Sequence, residues 1–282
     1  MPHDGPLSDT QHHTMKLKTN LVLTSIALAL GALSVRGQAV TTPAPVLEPA
    51  PTSSWTVTPA FVSSYMFRGV RNGGTAFEPN IEYDSGNLGL GVWMNFPMAD
   101  KVPGVSDPEI DPYGYYTITL SDSASVVPGF TWYNYPNAES ANGFYKSTFE
   151  PSVAFNYTVA GLKITPKVYY DMVLDGATYE LNLAFAVPLK DLGTELDFAA
   201  TLGTYKWNKA ADNASPEVKN YGDYYLIGVS VPFALTKDSK LIVGLAYTEG
   251  SNNFYKQSGS PKVENTAAVG RGVISVSYAY TF

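Results

Sequence analysis

The sequence predicts an all-β protein that crosses a membrane as an antiparallel up-and-down β-barrel of about twelve strands. Three observations favour this fold class. Apolar and polar residues alternate with a period of two along most of the chain, the connections between alternating runs are short and long in turn, and charged residues are scarce. Only 15% of the 282 residues are charged, whereas soluble domains average about 25%.

The first 37 residues are predicted to be an upstream extension followed by a signal peptide that is cleaved on export. Lysines precede an apolar stretch at 21–33, and small residues at positions 35 and 37 favour cleavage before Gln38. The apolar stretch is too short to cross a bilayer, which takes about 20 residues. Residues 1–14 precede Met15, which is the start that suits such a signal.

Removal of this segment limits the chemistry of the mature chain. The sequence has no cysteine, and its three histidines all lie within the first 37 residues. Serine–histidine and cysteine–histidine catalysis and histidine-ligated metal sites are thereby excluded. We therefore predict no catalytic, cofactor-binding or metal-binding residue, so the protein is not expected to be an enzyme. The net charge of −7 argues against a nucleic-acid partner.

A tether and one folded domain follow the predicted signal. Residues 38–54 are rich in proline, alanine and threonine and contain no core-forming run, which predicts a disordered tether. Residues 55–282 are predicted to form the barrel. Its strands are predicted at 55–69, 77–83, 88–97, 109–120, 125–135, 146–157, 162–172, 177–188, 194–206, 223–233, 240–249 and 271–282.

The predicted connections differ in length on alternate sides. Short segments such as 84–87 and 159–161 alternate with longer polar ones, and 173–176 is a short exception among the latter. Outer-membrane barrels have short periplasmic turns and longer extracellular loops. A secreted β-sandwich that binds carbohydrate through exposed aromatic residues is an alternative, but it gives no reason for this sorting. The longer connections are 98–108, 136–145, 207–222 and 250–270.

The two faces of the predicted strands differ in polarity. One face carries large apolar side chains and the other carries small, polar and charged ones, as expected if lipid surrounds the barrel and water fills its lumen. Tyr280 and Phe282 end the last strand and resemble the signal that the outer-membrane assembly machinery reads. Aromatic residues near strand ends are expected in interfacial girdles; they are Phe67, Phe96, Tyr133, Tyr135, Tyr157, Tyr169, Tyr170, Tyr205, Trp207, Tyr224, Tyr225 and Tyr247.

Charged residues on the polar face are the candidate functional residues of the lumen and its mouth. Opposed charges on a pore wall restrict which solutes pass, but the same charges can instead form salt bridges that hold a small barrel closed. Both interpretations stay open. The candidates are Arg68, Glu82, Glu109, Asp111, Glu150, Lys163, Lys167, Glu180, Asp197 and Arg271, with Lys206 and Lys240 as further basic members.

Four segments in the first half of the chain resemble those of a known family. The segment 64–70 reads Ser-Tyr-Met-Phe-Arg-Gly-Val, and 89–93, 109–115 and 131–136 follow in order. They resemble the TorF porin family, also called the Gcw_chp family, whose Tyr-x-Phe-Arg-Gly signature falls here on Tyr65, Phe67, Arg68 and Gly69. The resemblance implies an outer-membrane location and a porin role, but it brings no substrate and no catalytic residue.

Arg68 is expected to point inward near the extracellular end of the first strand, because it shares the small-residue face with Ser64. It would then pair with Glu109 or Asp111 and fix the barrel mouth, or attract an anionic solute. Gly69 would let the chain bend into the first loop.

The function that we predict is a porin-like channel of the cell outer membrane, through which small hydrophilic solutes diffuse passively along a narrow lumen. Membrane lipid, the assembly machinery and the solute are its predicted partners. The alternative is a non-conducting structural or adhesive barrel that binds partners through long extracellular loops.

Overall fold

The computed structural model describes residues 53–100, 107–138, 146–208, 221–251 and 270–282. The predicted signal peptide and nearly all of the predicted tether lie outside the described residues, so both stay predictions. The strands are β1 (Ser53–Thr58), β2 (Ala60–Val62), β3 (Tyr65–Phe67), β4 (Val70–Gly73), β5 (Ala76–Phe77), β6 (Asn80–Ser85), β7 (Leu88–Pro97), β8 (Glu109–Tyr116), β9 (Ile118–Ser121), β10 (Ala124–Asn134), β11 (Ser147–Val159), β12 (Leu162–Asp171), β13 (Gly176–Leu189), β14 (Thr194–Trp207), β15 (Tyr221–Ala234), β16 (Ser239–Gly250) and β17 (Arg271–Thr281).

All strands except β3 and β4 join into one closed antiparallel sheet. Strand β1 pairs with both β6 and β17, so the first and last strands meet. Along the barrel wall β1 continues as β2, β5 as β6 and β8 as β9, which gives twelve barrel strands. Closure pairs the backbone groups that an open sheet would leave unpaired in lipid. The predicted up-and-down barrel is confirmed.

The two rims of the barrel differ in the way that the sequence predicts. Five short turns lie at one rim, between β6 and β7, β9 and β10, β11 and β12, β13 and β14, and β15 and β16. We call this the turn rim and the opposite one the loop rim. In three of these turns Gly86, Gly161 and Gly193 adopt φ of 58°, 83° and 62°, which glycine tolerates best. The turn rim corresponds to the periplasmic side of an outer-membrane barrel.

Large apolar side chains cover the outer face of the barrel. On β13, for example, Tyr179 and Leu181 are exposed, whereas the alternate residues Glu180 and Asn182 are buried inside. Exposed apolar residues of this kind occur on every long strand, and a soluble protein rarely exposes so continuous an apolar surface. No helix among the described residues is long and apolar enough to cross a membrane.

The first predicted strand, 55–69, is too long. The barrel strand ends at Val62, and β3 pairs only with β4 in a separate two-stranded sheet. Tyr65 and Met66 are 2% and 1% exposed, so this segment has no lipid-facing side. The predicted strand was too long because β3 is also an extended strand, so the alternating pattern of the sequence does not stop at Val62.

The predicted aromatic girdle is also partly wrong. Phe96, Tyr157, Tyr170, Tyr225 and Tyr247 are exposed on the outer face, as expected for a girdle, but other members are buried inside the barrel. Position near a strand end does not determine the face, which depends on the alternation within each strand. Lys206 likewise points outward, between two inward aromatic residues. The buried members are Tyr133, Tyr169, Tyr205, Trp207 and Tyr224, while Phe67 lies on the β3–β4 hairpin.

Inward glycines make room for inward tyrosine rings. A Cβ added at Gly203 on β14 would lie 2.1 Å from Cζ of Tyr224 on β15. We predict that Gly203→Val destabilises the barrel by about 1–3 kcal/mol, the usual cost of overpacking, as measured by urea unfolding in detergent micelles. Gly272→Val is the matched control, because nothing lies within 4 Å of a Cβ added at Gly272. Equal stability of the two variants would contradict the prediction.

Candidate functional site

A hairpin inside the barrel is the central feature of the lumen. Residues 64–74, which we call the lumen hairpin, fold inward from the loop rim and contain β3 and β4. Arg68 and Gly69 form its two-residue turn with φ of 47° and 77°. Positive φ at both positions is typical of the type I′ turn, whose twist matches that of a β-hairpin. The segment with the family signature is therefore the tip of this hairpin.

The tip of the lumen hairpin reaches the opposite wall. The Arg68 guanidinium donates two hydrogen bonds to the Glu150 carboxylate on β11, at 2.9 and 2.8 Å. The guanidinium carbon also lies 4.9 Å from the ring centroid of Tyr169 on β12. Gly69 packs so closely on β16 that an added Cβ would lie 2.5 Å from the backbone nitrogen of Gly250. The hairpin thus spans the lumen from one wall to the other.

The flanks of the hairpin contact the wall as well. The Tyr65 hydroxyl donates to Glu109 Oε2 at 2.5 Å, and the Tyr65 ring lies 5.8 Å from the ring of Trp93. Met66 belongs to one packed cluster with Leu226 and Val273 of the barrel wall. At the level of the hairpin, its side chains therefore occupy much of the cross-section of the lumen.

Buried carboxylates around the hairpin accept hydrogen bonds from tyrosine hydroxyls. Tyr133 donates to Glu150 at 3.0 Å, and Tyr135 donates to Glu109 at 2.9 Å. Glu180 accepts from two further tyrosines, Tyr169 at 2.6 Å and Tyr224 at 2.5 Å. Hydrogen bonds to ionised groups are stronger than neutral ones and offset part of the cost of burying charge. Sequence reasoning missed this role, because these tyrosines and their carboxylate partners lie on different strands.

Seven of the candidate charges lie in the half of the lumen near the loop rim: Arg68, Glu109, Asp111, Glu150, Lys167, Glu180 and Arg271. The expected pairing of Arg68 with Glu109 or Asp111 is wrong, because its partner is Glu150. The reason is that the chain leaves the wall after Val62, so Arg68 extends across the lumen instead of along the first strand. Asp111 instead accepts the backbone N–H of Asn134 at 3.2 Å.

Three candidates, Glu82, Lys163 and Asp197, lie towards the turn rim instead. Glu82 accepts hydrogen bonds from Tyr113 and Tyr115. Lys167 Nζ lies 4.4 Å from the Tyr169 ring centroid, Arg271 donates to the Gly270 carbonyl at the loop rim, and Lys163 and Asp197 face the lumen towards the turn rim.

Two features of the chain stay outside the lumen cluster. Tyr280 and Phe282 stack with their ring centroids 5.7 Å apart on the outer face, and the Phe282 backbone pairs with Trp55; their role in assembly stays a prediction. No group of three or more His, Cys, Asp or Glu among the described residues is arranged to hold a metal ion.

A closed barrel with an apolar belt and a polar interior defines a transmembrane β-barrel protein of the outer membrane. A model of the family described as "Bacterial protein of unknown function (Gcw_chp)" matches residues 48–280. The chain belongs to this family, as the four ordered segments indicated. No curated protein matches the sequence.

Several solved structures of porins and of another outer-membrane protein are similar in fold. The NanC porin is 11% identical with a TM-score of 0.49, and the match covers 80% of this chain and 98% of that one. The KdgM porin is 13% identical with a TM-score of 0.48, over 81% and 99%. OmpT of Vibrio cholerae is 9% identical with a TM-score of 0.38, over 83% and 99%. At these identities the likeness concerns the fold alone.

Proposed function

We propose that the protein is a porin-like channel through which small hydrophilic solutes diffuse passively, and that the lumen hairpin forms its narrowest part. The observation that carries this proposal is the polar interior. Carboxylate, amide and hydroxyl groups face inward from the loop rim at Asp171 to the turn half at Asp197. Polar groups are costly to bury unless they are hydrogen-bonded or hydrated, and an aqueous lumen would hydrate them.

Lining residues towards the turn rim are compatible with a wider lumen there. Alanine, glycine and serine occupy many inward positions of β13–β17, for example Ala184, Ala199 and Ser275. Tyrosine and glutamate occupy the corresponding positions around the hairpin. Short side chains take less of the lumen than long ones, so the hairpin level would determine which solutes pass.

Planar-bilayer recordings test the proposal directly. The purified protein is expected to give small, discrete conductance steps, because the hairpin leaves little of the cross-section free. Liposomes that contain the protein should swell in monosaccharides and not in oligosaccharides. Membranes that stay silent at every voltage, together with liposomes that do not swell in any solute, would contradict the channel.

A non-conducting structural or adhesive barrel is the second candidate, and the packing of the hairpin favours it. Tyr65, Met66 and Arg68 are all buried, as expected of a filled lumen. This candidate predicts a silent wild-type protein, a conducting variant once the hairpin is removed, and loss of cell attachment without loss of solute uptake when the protein is deleted.

A further inference from the structure

Three inward side chains with oxygen acceptors lie side by side on the wall next to the base of the lumen hairpin. The register of β5 and β6 against β7 places Glu78 opposite Asn95, and Asn95 pairs with Glu109 on β8. Neighbouring strands are about 4.8 Å apart, and side chains directly opposite each other on one face are in contact. The two carboxylates therefore flank one amide on the same face of the sheet.

At two of the three positions in this row, the acceptor oxygens receive no hydrogen bond. Glu78 is 0% exposed and Asn95 is 1% exposed. Neither oxygen of the Glu78 carboxylate, nor Oδ1 of Asn95, has a hydrogen-bond partner among the described residues. An ionised carboxylate buried without a partner is strongly unfavourable, so Glu78 either carries a proton or binds a positive species.

The cationic side chains of the hairpin bind elsewhere. Arg68 is bound to Glu150, and Arg71 lies 3.5 Å from Asp100. Glu109 keeps capacity for a further ligand. Each of its oxygens accepts one tyrosine hydroxyl, and the carboxyl also shares a hydrogen bond with Asp111. Because each carboxylate oxygen has about two acceptor positions, one of the four is still available.

We infer that Glu78, Asn95 and Glu109 form a binding site for a hard divalent cation, with Ca²⁺ as the best match. Two carboxylates and an amide oxygen are ligands that Ca²⁺ takes, with water completing its coordination shell. Because Glu109 also accepts the Tyr65 hydroxyl, a cation here would hold the base of the hairpin against the wall. The inference does not depend on whether the barrel conducts.

Terbium luminescence on the full-length protein in detergent tests the site. Tb³⁺ replaces Ca²⁺ at oxygen sites and is sensitised by a nearby indole, and Trp93 occupies the next inward position on β7. Excitation of tryptophan should give a signal that saturates at one Tb³⁺ per chain and that Ca²⁺ displaces. Glu78→Gln should abolish this signal. Asp197→Asn should leave it unchanged, because Asp197 is a buried carboxylate that lies far away on β14, towards the turn rim, and its oxygens also have no hydrogen-bond partner among the described residues.

Asn95→Asp is a second variant, which tests the site even if Glu78→Gln does not fold. It adds a third carboxylate to the row, so Tb³⁺ should bind several-fold more tightly than in wild type. The absence of a saturable signal in the wild type would overturn the inference, and it is the result expected if Glu78 simply carries a proton. An unchanged signal in folded Glu78→Gln, or unchanged affinity in folded Asn95→Asp, would overturn it as well.

Discussion

Replacing residues 65–73 with two glycines is expected to raise the single-channel conductance several-fold. The hairpin crosses the lumen, and its side chains pack on both flanks and at the tip. The two ends of the replaced segment are already adjacent, because the Tyr65 N–H donates to the Gly74 carbonyl at 3.1 Å. A short linker therefore closes the gap without pulling on β2 or β5.

The deletion needs a folding control and a graded variant. Heat-modifiable gel mobility reports whether the barrel is still closed. Tyr65→Ala combined with Met66→Ala keeps the hairpin but removes its two buried flanking side chains, so its conductance should fall between those of wild type and deletion. Leu192→Ala, at an exposed residue of the turn rim, should conduct as wild type does. Unchanged conductance in a folded deletion variant would show that the hairpin is not the constriction.

The barrel could be predicted from the sequence because its strands are determined by local patterns. The strand predicted at 177–188 is β13, Gly176–Leu189. Every second residue of such a strand faces lipid, and the apolar set is visible in the sequence without knowledge of the partner strands. The alternation of short and long connections is a second pattern visible in the sequence. Together with the strand pattern, it indicated an even number of strands.

The lumen hairpin could not be predicted in the same way. Residues 65–67 are extended and resemble a continuation of β2, and no local pattern shows that both of their faces are buried. The Arg68–Glu150 pair joins residues that are 82 positions apart. Which carboxylate Arg68 meets depends on where closure places β11 relative to the hairpin, and this is a property of the whole barrel.

The faces of the tyrosines could have been predicted from the sequence, but their hydrogen-bond partners could not. Tyr169 and Tyr170 were both predicted in a girdle, yet only Tyr170 is exposed, while Tyr169 donates to Glu180. Strict application of the period of two would have separated these neighbours. The inward tyrosines also show why this lumen tolerates so many carboxylates: each hydroxyl is a neutral donor that satisfies an acceptor without adding a compensating charge.

Arg68→Met is expected to lower the free energy of unfolding by about 3–5 kcal/mol, the usual cost of removing one partner of a buried ion pair. Glu150 is 1% exposed, and in this variant its carboxylate would keep only the Tyr133 hydroxyl of its three donors. Methionine retains a Cβ, so the left-handed backbone at φ 47° is equally unfavourable before and after the change.

Three further variants separate the ion pair from other effects when urea unfolding is followed in detergent micelles. Arg68→Met combined with Glu150→Gln should recover much of the lost stability, because no buried carboxylate is then left unpaired. Arg68→Lys should lie between wild type and Arg68→Met, since an ammonium cannot reproduce the two parallel hydrogen bonds of a guanidinium. Lys237→Met breaks an exposed pair at 3.7 Å and should cost at most about 1 kcal/mol. If Arg68→Met costs no more than Lys237→Met, the ion pair does not hold the hairpin across the lumen, and the apolar cluster around Met66 must do so instead.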